Sequence, residues 1–343
     1  MSTIAPFSAL RYDESVAGPL ADLVAPPYDV ISEDDHLRLW HTSQHNIVHL
    51  TMPQKPADAG RALADWRRSG VLVEDEPAIW WLSEEYQGPD GVRRTREGIV
   101  GAIEATPYSE GKVLPHEQTN PEVKQERLEI LRETKTELEP VMLLYDADPP
   151  ASRPSGDPLI EVDEAGVHCR LWKLDSEGID LDVPLLIADG HHRYETAVAY
   201  REEQPKAERT LAVLVSARDP GLQIFPTHRV VQEVGVQPFG FMTSIWDTDS
   251  LAMYRTGNFF RLDTDEELDV VDIEQYEPEG VEFTPDAEEA IKAVDENMAQ
   301  LVFLLRAPTV RQVLAYAMRG ETMPKKTTYF YPKLTSGLLL LPT

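Results

Sequence analysis

Residues Pro184–Ala197, PLLIADGHHRYETA, constrain this chain more than any other stretch. An apolar run ends at Ala188, Asp189-Gly190 makes a tight turn, and a helix opens at His191. A strand over 184–188 followed by a helix over 191–203 needs a sheet to receive the one and a core to bury the other. The turn also has a specific chemistry. Unpaired amides and the macrodipole at a helix N-terminus attract anions. Gly190 lets the backbone approach a phosphate with no Cβ in the way. His191, His192 and Arg193 add donors. His192 and Thr196 share one helical face, while Tyr194, Ala197 and Val198 are placed to pack on a sheet. The two adjacent histidines point about 100° apart, so they do not chelate one ion together. A plain capping role for these polar groups stays open.

The rest of the chain supplies a sheet. Two β-like runs, 78–86 and 94–105, flank Gly88-Pro89-Asp90-Gly91 and predict a hairpin. Asn120-Pro121 starts a helix that the leucine spacing carries to about Glu137, and Pro140–Ala147 reads as a buried strand. Strands are expected at 166–174, 210–217 and 300–306, and helices near 285–298 and 309–319. Interleaving of this kind makes the fold α/β or α+β, with a mixed sheet and flanking helices. Pro149–Pro158, rich in Pro, Ser, Gly and Asp, separates an N-terminal part (1–148) from a C-terminal part (159–343) carrying the turn, unless both form one continuous domain.

Composition narrows the setting. The net charge is −28, with acids dispersed along all 343 residues and 10 lysines against 22 arginines, the pattern of a proteome adapted to high salt. Nucleic acid is not an expected partner, although a halophile background makes total charge a weak discriminator. One cysteine, Cys169, excludes an internal disulfide and a Cys-based zinc site within one chain. The absence of a long apolar stretch or secretory leader leads us to expect a cytoplasmic protein without membrane contact.

Further blocks carry reactive side chains. Pro115-His116-Glu117-Gln118-Thr119 precedes the Asn120 cap and sets a potential base beside a histidine. Ala25-Pro26-Pro27-Tyr28-Asp29 is stiff and presents Tyr28 and Asp29 in a defined direction. Thr227-His228-Arg229 offers two cationic donors after a strand-like run. Three of the 10 lysines, Lys325, Lys326 and Lys333, fall within nine residues, so this segment is a candidate to fold back onto the anion site.

Asp189–Tyr194 resembles the phosphate-binding motif of the ParB/sulfiredoxin-like superfamily, which includes free-serine kinases. The whole chain resembles the family of unknown function numbered 1015. The resemblance rests on Pro6-Phe7 with Ala9–Tyr12, Ala25–Ile31, Leu114–Thr119, and Glu126–Leu128 with Leu131-Arg132. It continues through Ala188–Ala197, Phe225–Arg229 and Met323–Leu338. Leu138 departs from it, standing where the pattern leads us to expect Asn.

The resemblance implies a ParB/sulfiredoxin-like core with a large elaboration, and a kinase that makes a phosphorylated small molecule such as O-phosphoserine. ATP, ADP or pyrophosphate would be the donor, with Mg²⁺ as cofactor and serine or a similar hydroxyl compound as acceptor. Glu117, Asp189 and His192 are the expected catalytic residues, with Asp189 also a candidate Mg²⁺ ligand. Gly190, His191, Arg193, Tyr194, Thr196, His228, Arg229, Lys326 and Lys333 would bind the donor, and Tyr28, Asp29 and His116 the acceptor. There is no G-x-x-x-x-G-K-[ST] loop, so the standard nucleotide-binding folds are out. A ParB-like nucleotide-binding regulatory module without turnover, or a phosphoester hydrolase, remains the alternative.

Overall fold

The apolar runs pair into one eight-stranded mixed sheet in the computed structural model, which describes residues 2–243 and 245–343. In spatial order the strands are Val113–Leu114, Leu185–Asp189, Val141–Tyr145, Arg209–Ser216, Arg93–Glu104, Ile79–Gln87, Val167–Leu174 and Ile160–Glu164. Leu185–Asp189 runs parallel to Val113–Leu114, and Arg209–Ser216 parallel to Val141–Tyr145. The other neighbours are antiparallel, among them the expected hairpin of Ile79–Gln87 with Arg93–Glu104. Val141–Tyr145 and Leu185–Asp189 are buried along their whole length, which is why they read as unbroken apolar runs without alternation.

Helix His191–Glu203 covers one face of this sheet. Its Tyr194 joins Ile79, Trp81, Ile99, Leu143 and Ile187 in the main core. Helix Pro121–Thr134 packs beside it, Leu128 and Leu131 meeting Tyr200 and Ala207. Asn120 caps that helix by accepting the Glu122 N–H, with Pro121 in the first turn. The helix stops at Thr134, short of Glu137, because Lys135 turns left-handed and Thr136–Glu137 pairs with Leu341–Pro342. The C-terminal segment Pro332–Thr343 lies on the other sheet face, where Leu334, Leu338 and Leu339 meet Leu82, Val100, Leu211 and Val213. Those strand residues alternate with the core residues of the first face.

Everything so far belongs to one unit, the chain up to Leu222 together with Pro332–Thr343. Pro149–Pro158 is an irregular connection inside it. Gln223–Tyr331 forms a second unit. Its antiparallel sheet runs Phe241–Thr243, Asn258–Arg261, Ala252–Arg255, Leu301–Leu304, His228–Val234, Pro278–Thr284. Helix Ala287–Asp295 buries Ala290 and Val294 against Val230, Ala252 and Val302, and helix Val310–Met318 follows Leu301–Leu304. Among the described residues no helix is long and apolar enough to cross a membrane.

Candidate active site

A slip in the ladder aims Asp189. In a regular strand it would share the face of Ile187 and point into the core. Instead Ile187 opposes Leu143 and Asp189 opposes Met142, so Ala188 is an inserted residue and Asp189 turns to the opposite face. Gly190 then takes φ +89° and ψ 32°, where a Cβ would fall 2.9 Å from Arg193 Nε. No side-chain cap closes the first turn of the His191–Glu203 helix, so the helix start keeps its affinity for anions.

Two cations meet on Asp189. Its Oδ2 accepts from Arg193 Nη2 at 2.6 Å and its Oδ1 from Lys333 Nζ. Arg193 Nη1 donates to the Pro140 carbonyl. Burial works against the Asp189 charge, but Lys333 and Arg193 outweigh it and hold the carboxyl well below the usual range. Burial likewise opposes the charge on Arg193 and Lys333, and Asp189 and Asp29 more than restore it. Asp29 is exposed in the turn Tyr28–Val30, whose first amide donates to Glu139 Oε1 at 3.0 Å. The Arg127 guanidinium lies 4.1 Å over the Tyr28 ring, and Ser336 Oγ donates to Glu139 Oε1 at 2.8 Å.

The loop before the Pro121–Thr134 helix is stitched to the same helix start. The His116 amide donates to His191 Nε2 at 3.3 Å, and His116 Nδ1 donates to the Ile187 carbonyl at 2.7 Å. Thr119 Oγ1 donates to Glu195 Oε2 at 2.8 Å, and the Asn120 amide donates to His192 Nε2 at 2.8 Å. Burial pushes the His116 ring down to about 4 and His191 well below its ordinary value, so both stay neutral. Glu117 sits half-buried in the middle of this fastened loop.

The expected site residues therefore fall into distinct settings. Asp189, Arg193, Lys333 and Gly190 come together at the turn, with Tyr28 and Asp29 beside them and the His116-Glu117 loop fastened to the helix. His192, expected as catalytic, has Nε2 committed to a backbone amide. Tyr194, expected at the donor, is fully buried with its hydroxyl donating to the Thr106 carbonyl. Thr196 lines a pocket of about 50 Å³ with Arg127, Glu137, Glu139 and Arg193. His228, Arg229 and Lys326 belong to the second unit. There His228 Nδ1 accepts the Leu305 amide, and burial brings the ring down to about 4. Arg229 donates to the carbonyls of Thr227, Lys325 and Lys326, so both side chains face that unit's interior.

Arg127 enters the sequence reading only within the Glu126–Leu128 block, and Glu137 and Glu139 carry no expected site role there. The available signal was a pair of glutamates immediately before the apolar run Pro140–Tyr145, an unusual place for charge. For Mg²⁺ the residues do not fit as a protein-built site. Both Asp189 oxygens are turned to cations, and among the described residues no three His, Cys, Asp or Glu side chains are placed to hold a metal.

The family model for DUF1015, described as a protein of unknown function, matches residues 4–305. No curated protein matches the chain. Among solved structures, a free serine kinase in complex with AMP is 17% identical, over 70% of this chain and 92% of that one, with a TM-score of 0.40. A conserved hypothetical protein from Pyrococcus furiosus is 17% identical over 67% of this chain and 90% of its own, with a TM-score of 0.37. SbnI from Staphylococcus aureus, with a C-terminal truncation, is 13% identical over 71% and 87%, with a TM-score of 0.42.

Proposed function

The chain belongs to the DUF1015 family, and from that premise we propose that it is a small-molecule phosphotransferase whose phosphate donor docks at the first turn of the His191–Glu203 helix. One observation carries this reading: an uncapped helix N-terminus with two cations, the buried Arg193 and the half-buried Lys333, gathered on Asp189. Asp189 keeps both cations charged in a low-dielectric setting, so an arriving phosphate meets preorganised charge. Lys333 has the more accessible side chain, 17% against 6% for Arg193. Lys333 and the helix amides therefore take the phosphoryl oxygens, while Arg193 positions Asp189 and the Pro140 backbone.

In the transfer, the acceptor hydroxyl oxygen bonds to phosphorus as the anhydride P–O bond breaks. The electron pair of that bond leaves with the rest of the donor, and the hydroxyl proton passes to Glu117. Tyr28 and Asp29 flank the acceptor. Free serine is the acceptor the family resemblance implies, with ATP, ADP or pyrophosphate as donor. Incubation with serine and each donor in turn, followed by phosphorus NMR, should give O-phosphoserine from one of them.

Binding without turnover, as in a regulatory module, is the second reading. It gains weight from Asp189, whose two oxygens are held by cations, so that the acid–base role expected of Asp189 falls away and turnover rests on Glu117 alone. Stoichiometric donor binding with no product after prolonged incubation would establish it, and release of inorganic phosphate without serine would point to hydrolysis.

A further inference from the structure

The pocket of about 50 Å³ that Thr196 lines has no part in the transfer step itself. Its walls come from the Pro121–Thr134 helix, the 136–139 segment and the first turns of the His191–Glu203 helix. Arg127 on this wall is 8% exposed. Its Nη1 donates to the Thr51 carbonyl and its Nη2 to Glu126 Oε1, while Nε finds no partner among the described residues. A buried donor left unmet is costly, and for a guanidinium the matching acceptor is a carboxylate or another oxyanion. Groups of the opposite sign line the same pocket. Among the described residues Glu139 accepts from the Tyr28 amide and from Ser336 Oγ, both at Oε1, so Oε2 is left for a ligand. Burial pushes Glu137 up to about 8. At Glu139 two guanidiniums, Arg193 and Arg127, work against the same rise, so Glu139 is the carboxylate they favour in its ionised form.

We propose that this pocket holds the charged head of a free α-amino acid, its carboxylate on Arg127 Nε and its ammonium on Glu139. The proposal rests on the phosphotransferase reading and gives the acceptor its chemical class. Charge selects the occupant. A phosphate dianion would face Glu137 and Glu139, and a simple amine would leave Arg127 Nε unmet, whereas a zwitterion answers both signs. Size agrees. A water-sized group needs about 10–15 Å³ of such space, so the pocket admits about three to five of them, enough for that head and too few for a nucleotide. The Tyr28 ring, 4.1 Å from the Arg127 guanidinium, stacks on it and fixes its plane. Arg193 lines the same pocket and holds Asp189, which sets the amino acid beside the turn where the donor docks.

Calorimetric titration of the full chain, with and without ADP, tests this. Wild type should bind L-serine about 10–100-fold more tightly than ethanolamine, which lacks the carboxylate, or 3-hydroxypropanoate, which lacks the ammonium. That comparison needs no variant to fold. Arg127→Met should cost serine a similar factor and leave ethanolamine no weaker, and Glu139→Gln should weaken serine while leaving 3-hydroxypropanoate no weaker. Three results would overturn the pocket's role, whether or not phosphate is transferred: no serine binding under either condition, ethanolamine or 3-hydroxypropanoate binding as tightly as serine, or full serine selectivity in a folded Arg127→Met variant. Selective serine binding that depends on Arg127, with no phosphoryl transfer from any donor, would support the pocket and remove the phosphotransferase reading instead.

Discussion

Lys333 distinguishes a donor site from a structural clasp. Lys333→Met leaves Asp189 still paired with Arg193, so the loss of stability should fall short of the about 3–5 kcal/mol expected when a buried charge is left with no partner. If Lys333 also meets the phosphate, donor affinity should fall roughly 10–100-fold in calorimetry, and Lys333→Arg should restore most of it. Lowered stability with unchanged affinity would leave only the clasp. Asp189, depressed by its cations, contributes stability above the unfolded carboxyl value of about 3.9 and loses it only as the pH falls through its folded value. Glu137 behaves in the opposite way. Burial pushes it up to about 8, so the folded chain keeps a proton that the unfolded chain releases above about 4.3. Stability from this group therefore falls as pH rises between those values and levels off beyond. Glu137→Gln should remove that slope, its melting temperature gaining on wild type from pH 5 to pH 8; parallel melting profiles would mean that Glu137 is ionised. Lys333 was legible in the sequence because lysine is scarce there. Glu137 was not, because its burial depends on a pairing with Leu341.

At the scale of elements, local signals were read well and distant ones were not. The hairpin and the His191–Glu203 helix follow from turn residues and from the Asp189-Gly190 punctuation, which act within a few positions. The end of the Pro121–Thr134 helix and the slip at Ala188 are set by strands far away in sequence, and LLIAD reads equally well as a straight strand. The histidines show the same limit. Their place at the helix start leads us to expect ligand contacts, whereas His191 and His192 accept amides from the 116–120 loop. That loop gives Glu117→Gln a sharp outcome: turnover should fall about 10²–10⁴-fold with donor binding near wild type, and a rate within a few-fold would remove Glu117 from the mechanism. Gly190→Ala addresses the turn itself. A left-handed non-glycine residue costs about 1–2 kcal/mol, and the added Cβ would press on the Arg193 guanidinium. Lower melting temperature together with weakened donor binding is expected, and unaltered binding would place the anion site elsewhere.

For the whole molecule, charge and topology act on different parts of the stability. The segment Pro332–Thr343 brings Lys333 to the turn while Leu334, Leu338 and Leu339 cover the far face of the sheet. If the donor docks at Lys333 as proposed, its recognition is tied to the core, where charges are screened less than at the surface. The −28 net charge is instead dispersed along the sequence, and its self-repulsion disfavours any folded form in dilute buffer. Screening shortens from about 10 Å at 0.1 M to about 3 Å at 1 M salt, so the repulsion fades over that interval while the buried Asp189–Lys333–Arg193 contacts change little. The melting temperature should therefore climb by several degrees between these potassium chloride concentrations, whereas donor affinity should weaken by less than about tenfold. Scanning calorimetry and donor titration across one salt series separate the two effects. A melting temperature that stays flat would mean that the acidic excess exerts no net repulsion on this fold. Donor binding that collapses with salt would mean that the phosphate is held by screened surface charge, and Lys333 and the helix amides would lose their assigned role.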